Sequence, residues 1–184
     1  MAATIEDFRF VLASVFRFGE LSALGRLRLR RDRLGSAYRI EGRGTYEIFR
    51  ETVSSEPSAE PDAVLVVGFR LRALKSNPAL HWLFQRLCIL TTPFWSGFRG
   101  FGVKLWMVDP ETKNYLGIYR WAGAEQAQTY VDLLEKILRA LSTSGSVWHE
   151  IYPGQEFEAF LRDRREPDDR PIGASVESRG GDES

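Results

Sequence analysis

The sequence predicts an α+β domain, and three observations do so. Short apolar runs and stretches of helical periodicity alternate over residues 63–153 in the order β-α-β-β-α-β. The two central runs, FGVKLWMV and YLGIYRW, flank the polar turn DPETKN at 109–114, as a hairpin requires. Residues 123–142 then place Ala127, Tyr130, Val131, Leu134, Ile137, Leu138 and Leu141 on one side of a helix. That order is a ferredoxin-like split unit.

The elements follow in chain order. Residues 1–53 read as an N-terminal arm. Ile5, Phe8, Val11, Leu12, Val15 and Phe16 have helical spacing, so a helix covering its own domain is expected there. The basic run GRLRLRRDR follows. YRIE at 38–41 and TYEIFRETV at 45–53 read as strands around the Gly42–Gly44 turn. Residues 54–62, SSEPSAEPD, form a polar linker. The main domain is expected over 63–162. AVLVVGFRLR at 63–72 is its first strand. Asn77 and Pro78 are an N-cap and first-turn pair that starts a helix with Leu80, Leu83, Phe84, Leu87 and Leu90 on its stripe. SVWHEIY is the last strand, closed by Pro153-Gly154. Residues 163–184 hold many charges and almost no large apolar groups, so a disordered tail is expected.

Composition excludes several function classes. The 184 residues are 43% hydrophobic, enough for one core. Net charge is zero, so nothing global points to nucleic acid. The one cysteine, Cys88, sits among Leu87, Ile89 and Leu90 and reads as a small buried hydrophobe. No disulfide framework or zinc spacing exists. No signal peptide or long apolar span is seen, and a cytoplasmic location is the expectation. No hydrolytic triad, phosphate-cradling glycine loop or metal cluster is visible; GRGTY lacks the length and the following helix of a nucleotide loop.

The hairpin carries the chemistry. Antiparallel pairing across the turn sets Val108 opposite Tyr115, Trp106 opposite Gly117, Lys104 opposite Tyr119 and Gly102 opposite Trp121. The other face holds Phe101, Val103, Leu105, Met107, Leu116 and Ile118. Being apolar apart from Arg120, it is expected to pack on the two helices. The aromatic–lysine face would then be the outer one, joined by Val64, Val66 and Gly68. Such an aromatic patch needs a cover, either a second subunit or the arm strands 38–53. A small-molecule pocket is expected beneath that cover, with Gly117 and Gly102 leaving room beside the indoles.

The segment GFGVKLWMVDPETKNYLGIYRWAGAEQAQTYVDLLEKIL, followed by GSVWHEIYPG, resembles the monooxygenase branch of the dimeric α/β-barrel superfamily, which includes the antibiotic-biosynthesis monooxygenases. The pattern is Lys104-x-Trp106, then Gly117-Ile118-Tyr119, a helix with Ala127 and Tyr130, and a closing strand. It covers residues 63–153. The resemblance implies a ferredoxin-like protomer, a homodimer through sheet-to-sheet packing, and oxygenation of an aromatic or quinol-like small molecule with no cofactor and no metal. Haem oxygenation is disfavoured, because helix 123–142 has no histidine to ligate iron.

In that chemistry Lys104 would stabilise an anionic substrate oxygen, Tyr119 would hydrogen-bond it, and His81 would accept a proton. Trp106 and Trp121 would stack on the substrate, with Tyr115 and Gly117 completing the binding wall. The plain alternative is a cross-strand cation–π contact between Lys104 and Tyr119, worth about 1 kcal/mol. His81 lies off its helix's stripe, which also suits a solvated surface, and His149 is expected to meet the helices or the arm. Two other functions compete. One is a non-catalytic ligand-binding or sensor module with the same pocket. The other is a membrane-surface protein docking through the 5–18 stripe and Arg26–Arg33.

Overall fold

The computed structural model describes residues 5–55, 62–72 and 96–167. The expected helix at 77–90, with Asn77, His81 and Cys88, lies outside the described residues, as do linker residues 56–61 and the tail from 168 onward. The described elements are α1 (Ile5–Ala23), β1 (Leu27–Arg30), β2 (Ala37–Ile40), β3 (Gly44–Ser54), β4 (Ala63–Phe69), β5 (Phe101–Val108), β6 (Tyr115–Trp121), α2 (Ala124–Leu141), β7 (Trp148–Pro153) and α3 (Phe157–Arg162).

The seven strands form one antiparallel sheet in the order β1-β3-β5-β6-β4-β7, with β2 also paired to β3. The four strands β7-β4-β6-β5 are the ferredoxin-like unit. The arm extends that unit, because β3 pairs along the free edge of β5, from Glu47 opposite Val108 to Val53 opposite Val103. A bulge between Ile48 and Arg50 bends β3 and lets β2 and β1 attach at its two ends.

The hairpin register is as expected at three pairs: Val108 with Tyr115, Trp106 with Gly117, and Lys104 with Tyr119. The fourth pair is corrected. A bulge between Phe101 and Val103 sets Phe101, not Gly102, opposite Trp121. Asp109 organises the turn: its carboxylate accepts from the amides of Glu111 and Thr112, at 2.8 and 3.0 Å, and from Thr112 Oγ1 at 2.6 Å. Burial alone would raise its pKa, but these hydrogen bonds outweigh it and hold the carboxyl below its ordinary value.

The expected assignment of the two sheet faces is reversed. The aromatic face lies under a helix: Leu65, Val67, Phe101, Trp106, Tyr119 and Trp121 pack with Ala127, Tyr130, Val131, Leu134 and Leu138 of α2. The aliphatic face, Val103, Leu105, Met107, Leu116 and Ile118, takes in Val64 and Val66. It packs against Tyr38, Ile40, Tyr46 and Ile48 of the arm and against Phe157, Phe160 and Leu161 of α3. The physical reason is that both faces are covered within one chain, so polarity could not tell helix side from outside. The expected homodimer rests on an exposed aromatic face; α2 covers that face, so this reason for pairing is lost.

The C-terminal end of the described chain also folds back. Glu166 N donates to Ala37 O at 3.0 Å, Arg165 bridges Tyr38, and Arg39 pairs with Glu166. Residues 163–167 are thus held against β2.

Candidate ligand site

The site begins with strand parity. Lys104, Trp106 and Val108 point to the α2 side with Tyr119, Gly117 and Tyr115, and β3 adds Thr52 beside Lys104 and Arg50 beside Trp106. Lys104 is 4% exposed. Its Nζ lies 3.2 Å from the ring centre of Trp106 and 4.8 Å from that of Tyr119. The structure therefore brings Lys104, Trp106 and Tyr119 together as the sequence implied.

Tyr130, from the middle of α2, completes the cluster. Its ring is 5.2 Å from Tyr119 and 4.8 Å from Trp121. Burial pushes the Tyr130 phenol well above its ordinary pKa, and the neighbouring Tyr119 adds to this. Tyr130 is thus a neutral phenol across the physiological range. Among the described residues, Trp106 Nε1, Trp121 Nε1 and Thr52 Oγ1 are buried and have no hydrogen-bond partner. Each such orphan costs about 1–3 kcal/mol, so this face holds unused hydrogen-bonding capacity around a buried cation.

Two expected features are absent at this spot. The room beside the indoles is filled: a Cβ at Gly117 would lie 2.7 Å from the Tyr119 ring, and one at Gly102 would lie 2.6 Å from Arg120 Nε. Tyr115 stacks on Phe69 at 5.7 Å, in a separate cluster with Leu71. His149 meets α2, as expected, with Nδ1 2.6 Å from Glu135 Oε1.

An open cleft of about 600 Å³ adjoins the cluster. Phe16, Arg17, Phe98, Arg99, Glu125 and Gln126 are among the residues lining it. Phe98 links the two, since its ring meets Tyr130 edge-on at 5.4 Å and Trp121 at 6.5 Å. Gly97 fixes the cleft's geometry: a Cβ there would lie 1.7 Å from the Ser14 carbonyl oxygen, so only glycine lets α1 come this close. The sequence reading missed Phe98, Arg17, Thr52 and Arg50. For the last two a signal existed, because TYEIFRETV was legible as a strand, but nothing in it names β5 as its neighbour.

No protein-family model matches the chain, and no curated protein matches it. Its fold is similar to that of several solved structures. One is a ferredoxin-fold protein related to antibiotic biosynthesis monooxygenases from Listeria monocytogenes, 16% identical, with 65% of this chain and 70% of that one covered and a TM-score of 0.40. A monooxygenase-like protein from Listeria innocua is 15% identical, covering 64% and 68%, with a TM-score of 0.40. A heme-degrading enzyme from Listeria monocytogenes is 11% identical, covering 70% and 97%, with a TM-score of 0.37.

Proposed function

We propose that the chain binds a small phenol- or quinol-like aromatic on the α2 side of its sheet and oxygenates it without metal or flavin. The observation that supports this is Lys104, a buried ammonium held against Trp106 and Tyr119 on the face where two indole N–H groups lack acceptors among the described residues. Removing an ammonium from water costs several kcal/mol, and the π-faces of Trp106 and Tyr119 offset part of that cost here. A substrate oxyanion would meet Lys104 Nζ once the Tyr119 ring that fills the space beside Gly117 moves aside, with the Tyr119 hydroxyl and the indole N–H groups as donors. The cleft at Phe98 would be the way in.

The cation favours the deprotonated substrate, the form that gives an electron to dioxygen. The radical pair recombines at a ring carbon, and the hydroperoxide loses water to leave a carbonyl. One oxygen atom stays in the product and the other leaves as water; every electron comes from the substrate. In this reading His81 accepts the substrate proton.

Oxygen uptake with dihydroxynaphthalene and anthrone probes, read beside quenching of tryptophan fluorescence, tests the proposal. One dioxygen should be consumed per carbonyl formed, and Tyr119→Phe should slow the reaction on the order of 10²-fold. Quenching without uptake would assign the same face to a non-catalytic ligand-binding or sensor module. Neither quenching nor uptake would remove the site.

A further inference from the structure

We infer that α1 and β1 together form a docking face for an anionic lipid surface. The first observation is which way α1 turns. It seats on the domain through Ser14 and Leu21, both buried. Two members of its expected core stripe face outward instead: Leu12 and Phe16 are exposed, Phe16 by 73%. With Ala13, Gly19 and Ala23, also exposed, they leave an outer seam of small and apolar residues along the helix.

The second observation is where the seam leads. Gly25, at φ +65°, turns the chain, and Arg26 N donates back to Leu21 O at 2.8 Å. β1 then runs beside α1 and ends the sheet, so its outer edge is unpaired among the described residues. Leu24, Leu29 and Leu34 are all exposed in this stretch, the first two by about 59% and 61%. Of the seven exposed large hydrophobic residues among the described ones, five fall in residues 12–34. The apolar exposure is therefore concentrated on one region.

The third observation is charge. Arg26, Arg28, Arg30 and Arg31 are exposed between those leucines, while the whole chain is neutral. Arg33 is engaged inward with Glu51 and Glu158, and Arg30 pairs with Asp32 at 3.3 Å. Among the described side chains of α1, Glu20 is the exposed acidic one, and Glu6 and Asp7 stand earlier in the same helix. Arginines alternating with leucines suit a surface that is both anionic and apolar just beneath, which is a bilayer interface. A second copy fits poorly, because antiparallel pairing of two β1 edges would bring Arg28 and Arg30 against their own kind. A nucleic acid would use the arginines and leave the leucines unexplained. No described helix is long and apolar enough to cross a membrane, so docking is in the interface plane. Phe16 also lines the cleft, which places the cleft rim at this face, although the docking face stands independently of the ligand reading.

Flotation of the full chain with phosphatidylcholine vesicles, with and without phosphatidylserine, tests it. Binding should require phosphatidylserine and weaken with salt. Arg28→Gln and Arg31→Gln should each lower partitioning roughly fivefold. Leu24→Ser and Leu29→Ser should lower it as well while leaving the melting temperature unchanged. Three results overturn the inference: equal flotation with both vesicle types; binding to duplex DNA that matches lipid binding and ignores both leucine variants; or a dimer in sedimentation that Leu29→Ser dissociates.

Discussion

Among the described strand residues, each face of the sheet carries one buried charged side chain, and the two are held differently. On the arm side Glu51, 1% exposed, faces Arg33 Nη1 at 3.5 Å, and Arg33 in turn reaches Glu158 at 2.6 Å. On the α2 side Lys104 lies against the π-faces of Trp106 and Tyr119. The arm side matches charge with charge and ties β3, the 31–36 loop and α3 into one unit. On the α2 side aromatic surface contacts the cation, and two indole donors have no acceptors among the described residues. The first arrangement ties three elements by charge, although Arg33 Nη1 and Glu51 Oε2 are themselves buried without a hydrogen-bond partner among the described residues. The second has capacity to take a ligand. Glu51 and Thr52 are neighbours in sequence but lie on opposite faces, so one strand serves both.

The largest effect expected from breaking this contrast is on the arm side. Arg33→Ala leaves Glu51 buried without its cation, and chemical denaturation at neutral pH should show a loss of about 3 kcal/mol. The loss should shrink in acid, where Glu51 is protonated.

A second test addresses packing on the α2 side. Gly117→Ala should cost about 1–3 kcal/mol, because its Cβ meets the Tyr119 ring, and Gly117→Leu should cost more. If alanine is neutral by thermal melt, the ring has space to retreat and the α2 side is looser than described.

The smallest effect is a pH slope. Burial raises the Glu51 pKa, and Arg33 only partly offsets it. Between the unfolded and folded pKa values the folded state therefore holds a proton at Glu51 that the unfolded state has released, and this contribution to stability is lost as pH rises through the folded value. Glu51→Gln should remove that loss. Its stability relative to the parent chain should be greater at neutral pH than in acid, by about 1 kcal/mol or less.

Much of this was legible in the sequence. Alternation and the Asp109 turn give the hairpin and three of its four named pairs, because side-chain parity leaves no freedom once the turn length is known. The Gly102 bulge was not legible, since one inserted residue leaves the composition of both strands unchanged. Nor was the choice of faces: Val103, Leu105 and Met107 suit a helix cover or a strand cover equally well. What decided it were Phe157, Phe160 and Leu161, in a helix too short to show a period, and a β3 strand whose partner lies across a polar linker. On α1, spacing gave the helix but could not say which way its stripe would turn.

The most direct test of the central claim, that Lys104 is kept for a ligand and not for the fold, is Lys104→Met, followed by thermal melting and by quenching of tryptophan fluorescence with an anthrone probe. Methionine keeps the volume and removes the charge. The account predicts a melting temperature unchanged or raised, together with loss of probe binding. A melting temperature lowered by many degrees with probe binding intact would contradict it, and would make Lys104 a structural counterpart of Glu51.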